Sequence, residues 1–473
     1  MTDTLMVGVS GIRGIVGKDL TDEVVGRYAR AFGRWAKARK PVVVVGRDAR
    51  ESGPAFERAV VDGLGSVGCA VVKVGLVPTP TVQLAVEHHA AGGGIAITAS
   101  HNPIEWNALK FIGPDGIFLD GADGARVAQL AADPSGSGKR EAGNVTADPD
   151  AVARHLDAVL KLPAVDVEGI RARKFTVALD AVRGAGGPVM RALLERLGCE
   201  VAGINLETDG RFPRSPEPVP ENLGGLSTLV TRAGAALGIA VDPDVDRLAI
   251  VDESGTPIGE DYTLAFAVRA VLGGMRDALK DSLTVAGSGM RRVVVCNLST
   301  SLVVEDAARD YGADVVRTAV GEVHVARAIL RLAAVIGGEG NGGVMYPALH
   351  AGRDAPVAAG LLLTLLARSG KRVSELVAAA PRYTIVKAKV ERGAGSREQG
   401  LTRVYAELQR RFPDAGADTQ DGLRLAWRDR WLHVRPSNTE PIIRLIAEAP
   451  SGAKGGGGAQ ELVDEARRIC AAS

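Results

Sequence analysis

A serine at position 100 stands in the run Thr98-Ala99-Ser100-His101-Asn102-Pro103, directly after the apolar stretch Gly94-Ile95-Ala96-Ile97. A hydroxyl at the mouth of a buried strand can carry a phosphoryl group, and it can equally cap an ordinary turn, since Asn-Pro is a turn dipeptide. Serine hydrolysis is disfavoured because no Gly-x-Ser-x-Gly elbow surrounds Ser100, and neighbouring side chains such as His101 usually point apart. Far along the chain, Asp242-Pro243-Asp244-Val245-Asp246-Arg247 follows the apolar strand Leu237-Gly238-Ile239-Ala240-Val241. Carboxylates at alternate positions on a turn can converge on one hard cation, and Mg²⁺ suits them because it takes oxygen ligands and completes its shell with water or phosphate. A solvated acidic turn is the alternative. An EF-hand is excluded, since Arg247 stands where that loop needs glycine. Three Asp on one divalent cation leave excess negative charge, which Arg247 is placed to offset, and a phosphoserine at Ser100 would offer the metal a further oxygen.

Two other constellations bear on anions and hydroxyls. Arg435-Pro436-Ser437-Asn438-Thr439-Glu440-Pro441, with Arg444 on the next strand, offers guanidiniums, hydroxyls and exposed amides to a phosphate dianion, or forms a capped turn. Gly337-Gly338-Glu339-Gly340-Asn341-Gly342-Gly343 puts an acid and an amide in a glycine-rich loop, which suits sugar hydroxyls or is plain flexible chain. Arg13 in Ser10 to Gly17, and Arg47 and Arg50 in Gly46-Arg47-Asp48-Ala49-Arg50, can each reach a phosphate or form a surface ion pair. Lys110 lies close enough after Ser100 to share its cleft, where neighbouring cations can lower its pKa into the range of a general acid or base, or it is an ordinary solvated lysine.

The elements that must position these residues repeat. Three segments show an apolar strand, a short loop, an amphipathic helix and a second apolar strand: Pro41–Val45 to Val74, Phe175–Asp180 to Ala202, and Val293–Cys296 to Val316. Continuous apolar strands alternating with helices imply α/β layer domains with mixed or mostly parallel sheets and ligands at the strand carboxyl ends. The turn-rich stretch Asp133 to Arg140 reads as a surface excursion and puts a boundary near residue 150. After about residue 375 the pattern becomes an α+β module, in which the Gly455 to Gly458 tract is a loop with no phosphate-cradle signature.

Composition bounds the rest. The 473 residues exceed a single core, so two to four domains are expected. A net charge of +1 with both signs mixed gives no nucleic-acid tract and no polybasic membrane patch. Cys69, Cys199, Cys296 and Cys470 are scattered and read as reduced core residues. The amino terminus lacks a signal-peptide pattern, and Ala358 to Ala367 is too short to span a bilayer, so a cytoplasmic protein is expected.

Together, in this order, the segments resemble the α-D-phosphohexomutase family over essentially the whole chain. The family's serine, metal, sugar and phosphate loops match Thr98 to Pro103, Asp242 to Arg247, Gly338 to Gly343 and Arg435 to Pro441. The resemblance implies four domains around a central cleft, placed at residues 1–150, 151–257, 258–373 and 374–473: three similar α/β layer domains with mixed sheets, then an α+β domain. It implies reversible transfer between phosphorylated Ser100 and a hexose monophosphate, through a hexose 1,6-bisphosphate that also serves as activator, so that phosphate moves between C6 and C1. Asp242, Asp244 and Asp246 would bind Mg²⁺ with Ser100. Arg13 and Arg247 would stabilise the transferring group, and Lys110 and His101 would move protons. Glu339, Asn341 and, less directly, His324 would hold the sugar; Arg435, Ser437, Asn438, Thr439 and Arg444 would anchor the idle phosphate. The expected partners are small hexose phosphates, with the protein a monomer or homodimer. The chain departs from the family at Ala108, where Gly is frequent, and at Asn341 and Gly343, where bacterial members commonly carry Ser and His. The Gly-Glu-x-Asn-Gly-Gly form resembles archaeal-type phosphoglucosamine mutases, so glucosamine phosphate is the expected sugar, with mannose and glucose phosphates as alternatives. A sugar-phosphate-binding protein without turnover and a phosphatase are the competing classes.

Overall fold

A computed structural model describes residues 5–133, 143–281, 292–391, 398–437, 442–452 and 458–472. The expected excursion after Asp133 and most of the Gly455 to Gly458 tract therefore lie outside the described residues. Four sheets follow one another along the chain.

The first three sheets share a construction that places the site. In the first, Val42–Arg47 pairs in parallel with Ala70–Leu76 and Gly93–Ile97, and Gly93–Ile97 then pairs antiparallel with Trp106–Ile112. In the second, Thr176–Asp180 pairs in parallel with Glu200–Ile204 and Leu237–Val241, after which Leu248–Val251 returns antiparallel. The third repeats this with Val293–Asn297, Asp314–Thr318 and Ile336–Glu339 in parallel and Gly343–Met345 returning. In every copy one connection reverses direction, and it carries a predicted site loop: Thr98 to Glu105, Asp242 to Arg247, and Gly340 to Gly342. The strands that lead into these loops, Gly93–Ile97, Leu237–Val241 and Ile336–Glu339, are buried at every residue. A sheet covered on both faces needs such apolar runs, and the polar residues that follow mark the point where the chain leaves the core.

The fourth sheet is antiparallel throughout, running Tyr383–Glu391, Ile442–Pro450, Trp431–Pro436, Leu423–Ala426 and Gly416–Asp418 from edge to edge. Helices Glu398–Arg411 and Ala459–Ala472 flank it. The fold class expected from the sequence, three mixed-sheet α/β layers and an α+β module, is what the chain adopts.

The second and third sheets share one apolar core. Val177, Leu179 and Ile239 from one and Val294 and Ile336 from the other join Leu264 and Val268 of helix Asp261–Asp281 and Leu362 of helix Ala355–Ser369. The apolar run at residues 358 to 367 is indeed a buried helix, every residue from Ala355 to Thr364 being out of solvent. Its start is set by Asp354, whose side chain accepts from Val357 N, and by Pro356 in the first turn. No helix among the described residues is long and apolar enough to cross a membrane. Cys69, Cys199 and Cys296 are buried, Cys470 is half-buried, and all four are free thiols.

Candidate active site

Ser100 sits at the end of its strand with φ +48°, a left-handed conformation that costs an ordinary residue about 1–3 kcal/mol and persists only where surroundings enforce it. Arg50 is the enforcing group. Its guanidinium, 1% exposed, donates to the carbonyl oxygens of Ser100 (2.7 Å), Asn102 (2.6 Å), Pro103 (2.7 Å) and Trp106 (2.9 Å). Asp48 pairs with Arg50 Nε at 3.1 Å and accepts from Thr98 Oγ1 at 2.7 Å, while Thr98 Oγ1 accepts from Ser100 N at 2.9 Å. Neither reading of Arg50 from the sequence survives: it is no surface ion pair, and its donors are spent on backbone rather than on a phosphate.

The Ser100 hydroxyl donates to Asp242 Oδ2 at 2.8 Å, across 142 residues of chain. Asp242, Asp244 and Asp246 are fully buried, and one carboxylate oxygen from each lies within 4.8 Å of the other two. The turn between them needs Val245 at φ +62°, which a β-branched residue rarely adopts; its buried side chain and the bond from Ala355 N to its carbonyl (3.2 Å) hold it there. Asp242 Oδ1 accepts from the N–H groups of Asp246 and Arg247, each at 3.2 Å. Asp244 Oδ2 accepts from Thr79 Oγ1 (2.7 Å) and Lys110 Nζ (2.6 Å). Asp244 Oδ1 and Asp246 Oδ1 are buried with no hydrogen-bond donor. Burial, then the charges of Asp246 and Asp244, push the Asp242 carboxyl well up from its usual range. Clustered carboxylate oxygens without donors fit a hard divalent cation.

Four cationic or titratable groups border this cluster. Arg13 Nη1 donates to Asn102 Oδ1 at 2.6 Å, and Arg247 Nη1 lies 3.5 Å from Glu217 Oε1. Arg247, burial and Arg13 together hold the His101 imidazole far below its usual pKa, so it is neutral at pH 7. Lys110 behaves opposite to expectation. Burial alone would lower its pKa, but Asp244 at 2.6 Å and Asp246 at 3.5 Å outweigh burial and raise it, so the ammonium is held charged. The sequence showed the neighbouring arginines and not the two carboxylates that face this lysine.

The sugar loop abuts the metal loop. Leu248 N donates to Gly342 O at 3.0 Å, and Gly342 has φ +86° with Leu248 O only 2.4 Å from where a Cβ would stand, so only glycine fits there. Glu339, 4% exposed, accepts from Asn297 Nδ2 (2.9 Å), Gly321 N (3.2 Å) and Arg353 Nη1 (3.0 Å). Asn341 Oδ1 accepts from Gly343 N at 3.2 Å. His324 is exposed in the first turn of helix Glu322–Leu332. In the C-terminal sheet, Arg435 and Arg444 are directly opposed across an antiparallel pair, which places both guanidiniums on one face, as a phosphate dianion requires. Arg435 Nε lies 2.9 Å from Asp421 Oδ2, which also accepts from Val320 N at 3.1 Å. Ser437 N donates to Ile442 O at 2.9 Å. Asn438 and Thr439 lie outside the described residues.

Comparison with known proteins bears on the same four units. Models of the phosphoglucomutase/phosphomannomutase α/β/α domains I, II and III match residues 4–135, 153–255 and 275–383, and the model of the family's C-terminal domain matches residues 386–465. The chain belongs to the phosphoglucomutase/phosphomannomutase family. A phosphoglucomutase/phosphomannomutase of Thermococcus kodakarensis is 39% identical over 95% of both chains. A probable phosphoglucosamine mutase of Methanopyrus kandleri is 38% identical over 98% of this chain and 97% of its own. Among solved structures, a phosphoglucomutase/phosphomannomutase family protein of Burkholderia thailandensis superposes with a TM-score of 0.82 at 26% identity, covering 99% of this chain and 98% of that one. The protein is thus a hexose phosphate mutase, an intramolecular phosphotransferase.

In this mutase the fold brings Ser100, His101, Lys110, Arg13, Arg247 and the three aspartates together around one buried carboxylate cluster. Glu339 and Asn341 reach it through the contact of Gly342 with Leu248. Several participants escaped the sequence reading. Thr79 reaches Asp244 across 165 residues, and Arg353 Nη2 reaches Asp246 Oδ2 at 2.7 Å across 107. In the sequence Arg353 is a charge beside an apolar run and Thr79 stands between Pro78 and Pro80, and neither context points to a carboxylate partner.

Proposed function

We propose that this mutase interconverts hexose 6-phosphate and hexose 1-phosphate through phosphorylated Ser100 and a bound hexose 1,6-bisphosphate. The observation that carries this is the 2.8 Å bond from Ser100 Oγ to Asp242 inside the donor-poor carboxylate cluster. Asp242, Asp244 and Asp246 would hold Mg²⁺, which supplies charge neutralisation during phosphoryl transfer. In the forward half-reaction the sugar hydroxyl attacks the phosphoserine, the Oγ–P bond breaks, and the hydroxyl proton passes by way of neutral His101 to the released Ser100 Oγ. In the second half-reaction Ser100 Oγ attacks the other phosphate, the sugar O–P bond breaks as Oγ–P forms again, and the serine proton passes to the released sugar oxygen through His101, with the Lys110 ammonium as the alternative carrier that donates to the sugar oxygen and recovers the serine proton. Arg13 and Arg247 balance charge on the moving group. Arg435 and Arg444 would hold whichever phosphate is idle, which lets one site serve both ends of the sugar.

The substrate class we favour is glucosamine phosphate, on the Asn341 and Gly343 form of the sugar loop together with relatives named as phosphoglucosamine mutases. The 39% identical phosphoglucomutase/phosphomannomutase supports glucose and mannose phosphates as the second reading. Coupled assays with glucosamine, glucose and mannose 1-phosphates in parallel, with Mg²⁺ and a bisphosphate primer, decide between them. The favoured reading requires the highest kcat/KM on the amino sugar, and a lower value there than on glucose or mannose phosphate overturns it.

A further inference from the structure

The buried guanidinium of Arg353 faces three carboxylates from three elements. Nη2 lies 2.7 Å from Asp246 of the metal loop, Nη1 3.0 Å from Glu339 of the sugar loop, and Nε 2.9 Å from Glu322 at the start of helix Glu322–Leu332. Three carboxylates thus surround one buried cation, with Lys110 Nζ the next positive group at 3.5 Å from Asp246. The backbone that carries Arg353 is itself fixed. Its neighbour Asp354 accepts from Val357 N at 2.9 Å and bonds His155 at 2.8 Å and His350 at 3.0 Å, and Arg353 N donates to Glu322 Oε1 at 3.3 Å.

We propose that Arg353 is a positioning residue that fixes the sugar loop relative to the metal loop and is the counter-charge of Asp246 against which a divalent cation must compete. Two consequences of opposite sign follow. A guanidinium on Asp246 Oδ2 reduces the negative potential available to a cation at Asp246 Oδ1, so removing the charge tightens metal binding. Removing the fork also releases Glu339 and Glu322 from the metal loop, so the sugar is held less well. A merely structural arginine would weaken both. The metal half of this inference stands on the carboxylate cluster alone, and the sugar half rests on the proposed function.

The test uses the full-length protein, with Ser100 phosphorylation matched between variants by intact mass. Calorimetric titration with Mg²⁺ alone is compared with KM and kcat for the preferred hexose phosphate. Arg353→Gln is expected to lower the Mg²⁺ Kd by about fivefold, because an opposing charge a few ångströms away is gone from a partly desolvated site, and to raise the sugar-phosphate KM by about tenfold. Arg353→Lys keeps the charge but cannot span three carboxylates, so Mg²⁺ affinity stays near wild type while KM rises. A Mg²⁺ Kd unchanged or weakened in folded Arg353→Gln overturns the inference, as does an unchanged KM in Arg353→Lys, which remains decisive should the glutamine variant fail to fold. Wild-type protein without turnover on any hexose phosphate would refute the mutase reading while leaving the Mg²⁺ comparison to judge Arg353.

Discussion

Arg50 shows how much of a phosphoryl-transfer site lies in residues that never meet the substrate. Four carbonyl oxygens and Asp48 depend on one buried guanidinium, and the left-handed Ser100 depends on the loop they hold. Lysine supplies charge without the planar fork, so Arg50→Lys leaves carbonyls unsatisfied and Asp48 imperfectly paired. Each buried carbonyl left without its donor costs about 1–3 kcal/mol, and denaturant unfolding followed alongside activity should show a lowered midpoint together with a loss of turnover. Asp244 Oδ1 and Asp246 Oδ1 have no donor, so chelation should abolish turnover and added Mg²⁺ restore it, whereas Asp244→Asn should not be rescued. Turnover that persists after exhaustive chelation contradicts the assignment of these oxygens.

Among the elements, the clearest regularity is that three site loops occupy one topological place, the antiparallel return after the last parallel strand. The serine and metal loops were legible in the sequence as polar turns after apolar strands, because a fully buried strand must be apolar to its end; the antiparallel return that follows each loop was not. The gaps have a physical cause. Thr79 and Arg353 act across more than 100 residues on groups brought close by packing of one sheet on another, and Arg50 acts across 50 on a loop brought close by the pairing of Val42–Arg47 with Gly93–Ile97; nothing in their own neighbours announces it. Lys110 was misjudged for the same reason, since its pKa follows from Asp244 and not from nearby sequence. The C-terminal sheet offers a pH test at this scale. His433 is wholly buried, donates from Nε2 to Asp421 O at 2.7 Å and accepts at Nδ1 from Ser299 Oγ at 2.9 Å. Burial pushes its pKa down to about 4 from 6.5. The unfolded chain therefore binds more protons between those values, and the stabilising effect of neutral His433, present above pH 6.5, is lost as pH falls towards 4, by at most roughly 3 kcal/mol. Melting temperatures across that window should fall less steeply for His433→Gln than for wild type.

At the level of the whole molecule, the C-terminal sheet docks on the third through buried polar groups rather than through a continuous apolar core. Glu448 accepts from Leu302 N (2.8 Å), Trp431 Nε1 (2.6 Å) and Ser301 Oγ, capping helix Leu302–Arg309 from the neighbouring sheet. Glu448→Ala leaves those donors buried and unpaired at a cost of about 1–3 kcal/mol each. Because Arg435 and Arg444 are carried on the same sheet, the variant should raise KM for hexose phosphate more than it lowers kcat; a fall in kcat at constant KM would place the docking elsewhere. The left-handed strand end, the carboxylate cluster and the bond to Asp242 all centre on Ser100, the proposed carrier of the phosphoryl group. Intact-mass analysis of purified protein, paired with the coupled mutase assay, tests that most directly. Wild type should carry a single partial phosphorylation that Ser100→Ala removes, with turnover reduced about a thousandfold or more. A Ser100→Ala protein that keeps wild-type turnover would contradict the account.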